Sequence, residues 1–392
     1  MNDLQRGVIN IIQSALTGEC LSLPKSFNFY NAVKIAKKHK IECVFYYGAL
    51  NCGFKQKEPL MQELFTLVCG NIAVSEQQIY AIKEIFSAFD KEKIDYLPIK
   101  GVLLKQLYPK PEMRSMSDLD ILIRYEEYSE KIIPVMNSLG FTEGRVSDNE
   151  LVWNKPMISI ELHRRLIPSY NKDYYAYYGD GWRLARLSGG TRYSMTDEDQ
   201  LIYLFTHFAK HYRDSGIGIR HMVDLWVFKK YYKNLDDKYI EAELQKLQLY
   251  NFYENIINTL KVWFEKSENN EVSDFITGII FNSGVYGTNQ AHVLSDALKL
   301  SKNKEQHKNI KKAKLISEIF PSYSFMKRRY PILDNNSWLL PALWLVRLAD
   351  AVLFRRKNVG DKFSEIKLID DKSVADYREA LNYVGLDFNF KE

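Results

Sequence analysis

The chain has 392 residues, 46% of them hydrophobic and 26% charged, which is ordinary for a folded protein and long enough for two or three structural units. A net charge of +5, dispersed along the sequence, gives no strong nucleic-acid signal. Four cysteines (Cys20, Cys43, Cys52 and Cys69) without a CxxC pair argue against a zinc site and for reduced thiols.

No basic N-terminal segment followed by an apolar run is present, and no uncharged run of about 20 apolar residues, so neither a secretory signal nor a transmembrane segment is expected. Cytoplasmic location follows as the expectation. The abundance of Tyr and Phe, 26 and 21 residues, points to large cores before planar ligands.

Residues 1–90 read as an N-terminal helical region. Leu4, Val8, Ile11, Ile12 and Ala15 keep helical spacing, as do Ala32, Ile35 and Ala36, and the pattern resumes from Ile72 to Phe89. The basic run Lys34–Lys40 reads as a solvated helix face. No chemistry is assigned there.

Residues 91–190 read as a small α/β core with a mixed sheet. Ile94–Ile99 is expected to be a strand, with Pro98 favouring an edge or a strand end because it lacks a ladder donor. Lys100-Gly101 then turns into a helix over Val102–Leu107, a place where backbone amides and a Lys can approach phosphate. A loop leads through Arg114 and Ser117, residues able to touch phosphate oxygens or a nucleobase edge, although Arg114 could equally pair with Asp118 or Glu112.

The next strand carries Asp118 and Asp120. Side chains alternate across a strand, so both carboxylates share one face while Leu119, Ile121 and Ile123 share the other. Two adjacent carboxylates repel unless a cation stands between them or one is protonated, and Mg²⁺ suits carboxylate oxygens while leaving positions for phosphates. Tyr125–Gly140 is expected to be an amphipathic helix ended by Gly140, and Phe141–Val152 to hold a strand and a hairpin. In the strand that follows, Met157, Ser159, Glu161 and His163 share one parity and Ile158, Ile160 and Leu162 the other. Paired beside the Asp118 strand, it brings Glu161 and His163 onto the carboxylate face.

Residues 191–392 read as a C-terminal helical region. Thr196-Asp-Glu-Asp199 has the pattern of a helix start. The helix after it places His207, Lys210 and His211 on one face, suited to phosphate or base contacts or to packing; the Glu that follows the first His in zinc hydrolases is replaced by Phe208. Arg220 and Asp224 are spaced as an i,i+4 pair. Lys302–Lys314 reads as a solvated charge run. Trp338–Phe354 reads as a core helix; with Arg355-Arg-Lys357 it also has the composition of a membrane-surface helix.

Taken together, Lys100-Gly101, Arg114, Asp118-x-Asp120, Glu161-x-His163, His207-x-x-Lys210-His211 and Arg220-x-x-x-Asp224 resemble the uncharacterised nucleotidyltransferase family called NTP-transferase 5, within the polymerase-beta-like superfamily. The similarity covers roughly residues 30 to 290, and the stretches Arg328-Arg-Tyr-Pro and Trp338-Leu-Leu-Pro look like members associated with bacterial polysaccharide gene clusters. The resemblance implies an α+β fold in which a small mixed-sheet nucleotidyltransferase core is flanked by N- and C-terminal helical regions. It further implies two divalent ions, Mg²⁺ or Mn²⁺, an NTP donor, and transfer of an NMP, AMP from ATP being the commonest case, to a hydroxyl of a sugar, small molecule or protein.

Asp118 and Asp120 match the paired catalytic metal ligands of the superfamily and Glu161 takes the place of its third acid, more often Asp, while Lys100, Gly101, Arg114, Ser117, His207, Lys210 and His211 fall where donor-binding residues are expected. One departure is clear. The turn carries Lys100-Gly101-Val102 in place of Gly-Ser or Gly-Gly, so the usual hydroxyl is missing and Lys100 is the natural substitute. That departure keeps open a catalytically inactive nucleotide-binding or scaffold protein on the same fold. A toxin–antitoxin role is a further alternative, and a kinase lacks its P-loop, His-Arg-Asp and Asp-Phe-Gly motifs.

Overall fold

The computed structural model describes residues 1–147, 149–285, 287–300, 315–316, 319–354 and 370–386. The charge run Lys302–Lys314 and the basic cluster Arg355-Arg-Lys357 lie outside the described residues.

Strands β1 (Tyr96–Pro98), β2 (Leu119–Ile123), β3 (Thr142–Val146), β4 (Glu150–Lys155), β5 (Ile158–His163), β6 (Arg186–Gly189) and β7 (Arg192–Ser194) form one sheet in the order β3-β4-β5-β2-β1-β7-β6. The sheet is mixed: β2 runs parallel to β5 and β1 parallel to β7, while the other neighbours are antiparallel. Period-two alternation decides which face is which. Leu119, Ile121 and Ile123 of β2 join Ile158, Ile160 and Leu162 of β5 and Leu151 and Trp153 of β4 in one buried cluster. Helical residues Ala81, Ile85, Phe89, Ile132, Val135 and Met136 complete it, so this face of the sheet is closed to water.

Among the described residues up to Leu300 the helices in chain order are α1 (Asp3–Thr17), α2 (Phe29–Lys38), α3 (Glu42–Asn51), α4 (Pro59–Lys91), α5 (Gly101–Leu104), α6 (Ile133–Ser138), α7 (Lys172–Tyr178), α8 (Asp197–Asp214), α9 (Ile219–Tyr231), α10 (Asp237–Lys246), α11 (Tyr250–Phe264), α12 (Glu271–Ser283) and α13 (Asn289–Leu300). The apolar stripe of α1 is buried at Val8, Ile11, Ile12 and Ala15. Arg6 and Gln13 on the same helix donate to the carbonyls of Val262, Trp263 and Phe264, which ties α1 to the end of α11. At the start of α8, the Thr196 hydroxyl accepts the Asp199 amide, the cap that the sequence pattern suggests.

Two compact units are distinguished. The first contains Met1–Lys210, Ile217–Val285 and the chain from Val384 onward, and it holds the whole sheet. The second contains His211–Gly216 and Tyr286–Tyr383, with helices at Asn289–Leu300, Tyr323–Arg329, Leu340–Phe354 and Asp371–Tyr383 around buried Leu294, Leu298, Met326, Leu333, Val374 and Leu381.

Three local differences from the sequence reading have physical causes. The expected helix over Tyr125–Gly140 is a 3₁₀ turn (Tyr125–Glu127), a π turn (Tyr128–Ile132) and then α6. Pro134 has no N–H for the residue-130 carbonyl and its ring crowds that carbonyl, so the turn before it widens. The hairpin β6–β7 escaped notice because all four β6 residues are exposed and carry no apolar alternation. The helix Leu340–Phe354 forms, but not as a core helix: Leu345 and Val346 on it, and Trp338 just before it, face solvent. No helix among the described residues is long and apolar enough to cross a membrane.

Candidate active site

The site is built where β1 and β2 run beside each other. Pro98 ends β1, as its missing donor requires, although β1 itself is an interior strand between β2 and β7. Ile99 N–H then donates to the Asp120 carbonyl at 3.2 Å, and the chain turns sharply at Lys100, φ 49° and ψ −117°. That backbone region is the corner of a type II′ turn, which glycine adopts readily and a lysine adopts only under strain. The turn aims the Lys100 side chain at β2, where Nζ donates to Asp120 Oδ1 at 2.7 Å. Helix α5 is only four residues long and gives way to a 3₁₀ turn at Lys105–Leu107, shorter than the expected helix.

Parallel register sets Asp120 opposite Glu161 and Leu122 opposite His163. His163 Nε2 lies 2.7 Å from Asp120 Oδ1 and 3.6 Å from Glu161 Oε2. Its other nitrogen, Nδ1, is 3.4 Å from the Asn149 amide nitrogen, which donates to it and leaves the proton on Nε2 to be given to Asp120. One ligand atom from each of Asp120, Glu161 and His163 lies within 4.8 Å of the others. Asp118 stands one position before β2, half-buried and on the parity of Asp120.

The electrostatics follow from crowding acids in a partly dry pocket. Burial, together with the charges of Asp118 and Asp120, pushes the Glu161 carboxyl up to about 8. Burial and Asp120 likewise raise Asp118. For Asp120 itself burial is outweighed by Lys100 and His163, which hold its carboxyl well below the usual range. Burial disfavours the Lys100 ammonium, but the adjacent Asp120 overrides it and keeps the lysine charged. His163 is lowered by burial and by Lys100, so the imidazole is neutral. Hard carboxylate oxygens gathered against their own repulsion are the donor set that a Mg²⁺-like cation requires, and the residues present therefore fit one.

The remaining expected residues divide. Ser117 is exposed beside Asp118. Gly101 is packed so tightly that a Cβ would stand 2.6 Å from Arg114 Nη1 and 2.6 Å from Met116 Sδ. Arg114, expected to touch phosphate or to pair with Asp118 or Glu112, instead makes a buried two-pronged pair with Asp224: Nε to Oδ1 at 3.0 Å and Nη2 to Oδ2 at 3.1 Å. Tyr108 also donates to Asp224 Oδ1 at 2.7 Å, so the Asp224 carboxylate serves Arg114 and Tyr108 rather than its helical neighbour Arg220. Arg220 Nη1 donates to the Ser115 carbonyl at 3.2 Å, and its charge offsets part of the rise that burial and Asp120 impose on Asp118.

On α8, His207 packs at a tilt against Tyr203, whose hydroxyl is pushed up to about 12 by burial, with the Lys100 charge opposing the rise and Asp120 adding to it. Lys210 and His211 are half-buried one turn further on, and His211 begins the second unit. Sequence reasoning put His163 on the carboxylate face without giving it a role. It left Tyr203 and Tyr108 unremarked, and the spacing of Tyr203, four residues before His207, was the only signal available for it.

The family model described as uncharacterised nucleotidyltransferase matches residues 25–265, which include every residue of this site. Among solved structures, the solution structure of the antibiotic-resistance factor ANT(2'')-Ia is similar at 10% identity and a TM-score of 0.33, over 49% of this chain and 100% of that one. No curated protein matches the chain. The family match spans more than half of the sequence and both strands that carry the facing acids, and the chain belongs to the uncharacterised nucleotidyltransferase family.

Proposed function

We propose that this chain transfers an NMP, AMP from ATP, to a hydroxyl of an acceptor, and that Asp118, Asp120 and Glu161 are its metal ligands. The observation that carries the reading is the facing pair Asp120 and Glu161 across β2 and β5, with Asp118 one position before β2 on the parity of Asp120. These three carboxylates would hold Mg²⁺ or Mn²⁺, two ions in all, which supply Lewis-acid charge to the triphosphate oxygens. Lys100 lies beside Asp120 and its ammonium is kept charged, so it is suited to hold phosphate at the altered turn. Ser117, His207 and Lys210 are the further candidates for phosphate or base contacts.

In the transfer the acceptor oxygen forms a bond to the α-phosphorus while the bond from that phosphorus to the bridging oxygen breaks, and pyrophosphate leaves with the electron pair. The acceptor proton would pass to the Glu161 carboxylate, and a cation held by the three acids would favour its ionised form. The acceptor is proposed to be a hydroxyl in bacterial polysaccharide metabolism. The test is incubation with each α-³²P-labelled NTP and Mg²⁺ or Mn²⁺ in an extract, beside an Asp118→Ala/Asp120→Ala control. Label on a glycan, small molecule or protein with wild type only, and strongest from ATP, is the expected result. Absence of both transfer and metal-dependent NTP binding overturns the reading.

A further inference from the structure

The segment from Lys110 to Ser117 leads directly into Asp118, yet beyond a three-residue 3₁₀ turn (Pro111–Met113) it has no regular structure to satisfy its own backbone. Three consecutive carbonyls are instead taken by side chains from three separate elements. Arg114 O accepts from Lys105 Nζ at 3.4 Å, Ser115 O from Arg220 Nη1 at 3.2 Å, and Met116 O from Gln78 Nε2 at 3.1 Å. The side chain of Arg114 turns the other way and is closed off by both oxygens of Asp224, with Tyr108 on the same carboxylate. Arg114 and Asp224 are both buried, at 9% and 3% exposure. Swinging the guanidinium out to a phosphate would leave the buried Asp224 charge with only the Tyr108 hydroxyl as donor, which disfavours the swing.

From this we infer that Arg114, Asp224 and Tyr108 form a positioning clamp for Asp118, acting on the cation site without touching cation or nucleotide. The inference rests on the reading of Asp118 and Asp120 as metal ligands. The clamp joins α9 to the approach segment, and the same guanidinium lies against Gly101, so one side chain fixes both the lysine turn and the start of β2. A two-pronged Arg–carboxylate pair sets angle as well as distance, which is what an irregular segment needs if it is to hold a ligand in place.

Asp224→Asn keeps the shape and removes the charge. Mn²⁺ affinity, read by electron spin resonance on the full chain, is expected to fall about 10-fold, the scale of outer-sphere partners in metal sites. Trp263→Phe in α11, chosen as a control that lowers the melting temperature away from the site, should leave that affinity unchanged. Asp118→Ala provides the second reference. If Asp118→Ala weakens Mn²⁺ binding and Asp224→Asn does so at intact fold, the clamp stands. If Asp118→Ala weakens binding while Asp224→Asn binds as wild type, the clamp is overturned and the metal-ligand reading survives. If Asp118→Ala binds as wild type, both fail. Should Asp224→Asn not fold, Arg114→Lys and Tyr108→Phe decide in the same way: weaker Mn²⁺ binding supports the clamp, and wild-type binding overturns it.

Discussion

Asp120 and Glu161 face each other directly across the parallel strands β2 and β5, and burial, with the neighbouring Asp118 and Asp120 charges adding to it, raises the Glu161 carboxyl to about 8. Replacing Glu161 by Gln keeps the shape while removing one of two facing acids. Folding holds Glu161 with a raised carboxyl that the unfolded chain would ionise, a cost Gln does not carry, so urea unfolding of Glu161→Gln in EDTA at neutral pH should give a stability within about 1 kcal/mol of wild type or higher. If Glu161 is the metal ligand and proton acceptor proposed above, nucleotidyl transfer from labelled ATP should fall at least about 100-fold.

Lys100 combines a buried ion pair with a backbone conformation that only glycine adopts freely. Lys100→Ala leaves Asp120 without its ammonium, and a loss on the order of 3 kcal/mol is expected. Lys100→Gly removes the same charge but relieves the turn, so it should be about 1 kcal/mol less damaging than Ala. Chemical denaturation of the two variants side by side measures the difference, and Gly no better than Ala would refute the strain.

Gly101 has no room for a methyl group, because Arg114 is held by Asp224 and cannot withdraw. Gly101→Ala should cost about 1 to 3 kcal/mol, the range for overfilling a packed site. The Met116 side chain is the other obstacle, and Met116→Ala in the Gly101→Ala background should recover part of the loss. Thermal unfolding of the single and double variants reads it out.

His39 is fully buried between two fixed partners, accepting the Ile219 amide at Nδ1 (3.1 Å) with Nε2 3.3 Å from the Phe281 carbonyl. Burial lowers it from 6.5 to about 4, outweighing the Phe281 carbonyl, which favours the charged ring. A histidine lowered in the folded state stabilises above its unfolded value and loses that contribution as pH falls. The window is therefore pH 6.5 down to 4, and the amount is on the order of 3 kcal/mol. Urea unfolding across that range should show the decline, and His39→Gln should flatten it.

How much of this could be read from the sequence depended on whether a residue's partner was local. The alternation in Asp118–Ile123 and in Ile158–His163 is strong enough to separate an acidic face from an apolar one, and the buried cluster follows that division residue by residue. A helix start at Thr196 was equally plain, because its cap lies within three residues. The Arg114–Asp224 pair spans 110 positions, and nothing in either neighbourhood points to the other. Asp224 instead looked like the partner of Arg220 because helical spacing was the only geometry on offer. The hairpin β6–β7 was silent for a different reason: its outer strand is solvent-exposed, and without a buried face a strand leaves no period-two signature.

Because β2 and β5 are parallel, no tight turn can join them, and the bond between His163 and Asp120 closes a loop of 43 residues. Contacts of that range form late and slowly. On the ribosome the strand bearing Asp120 emerges well before its neighbour, and Asp224 follows roughly 5 to 20 s after Asp120 at ordinary synthesis rates. A chain still being made thus carries its acids without the geometry that gathers them. The facing of Asp120 and Glu161 is a property of the completed fold, and unfinished copies do not have it.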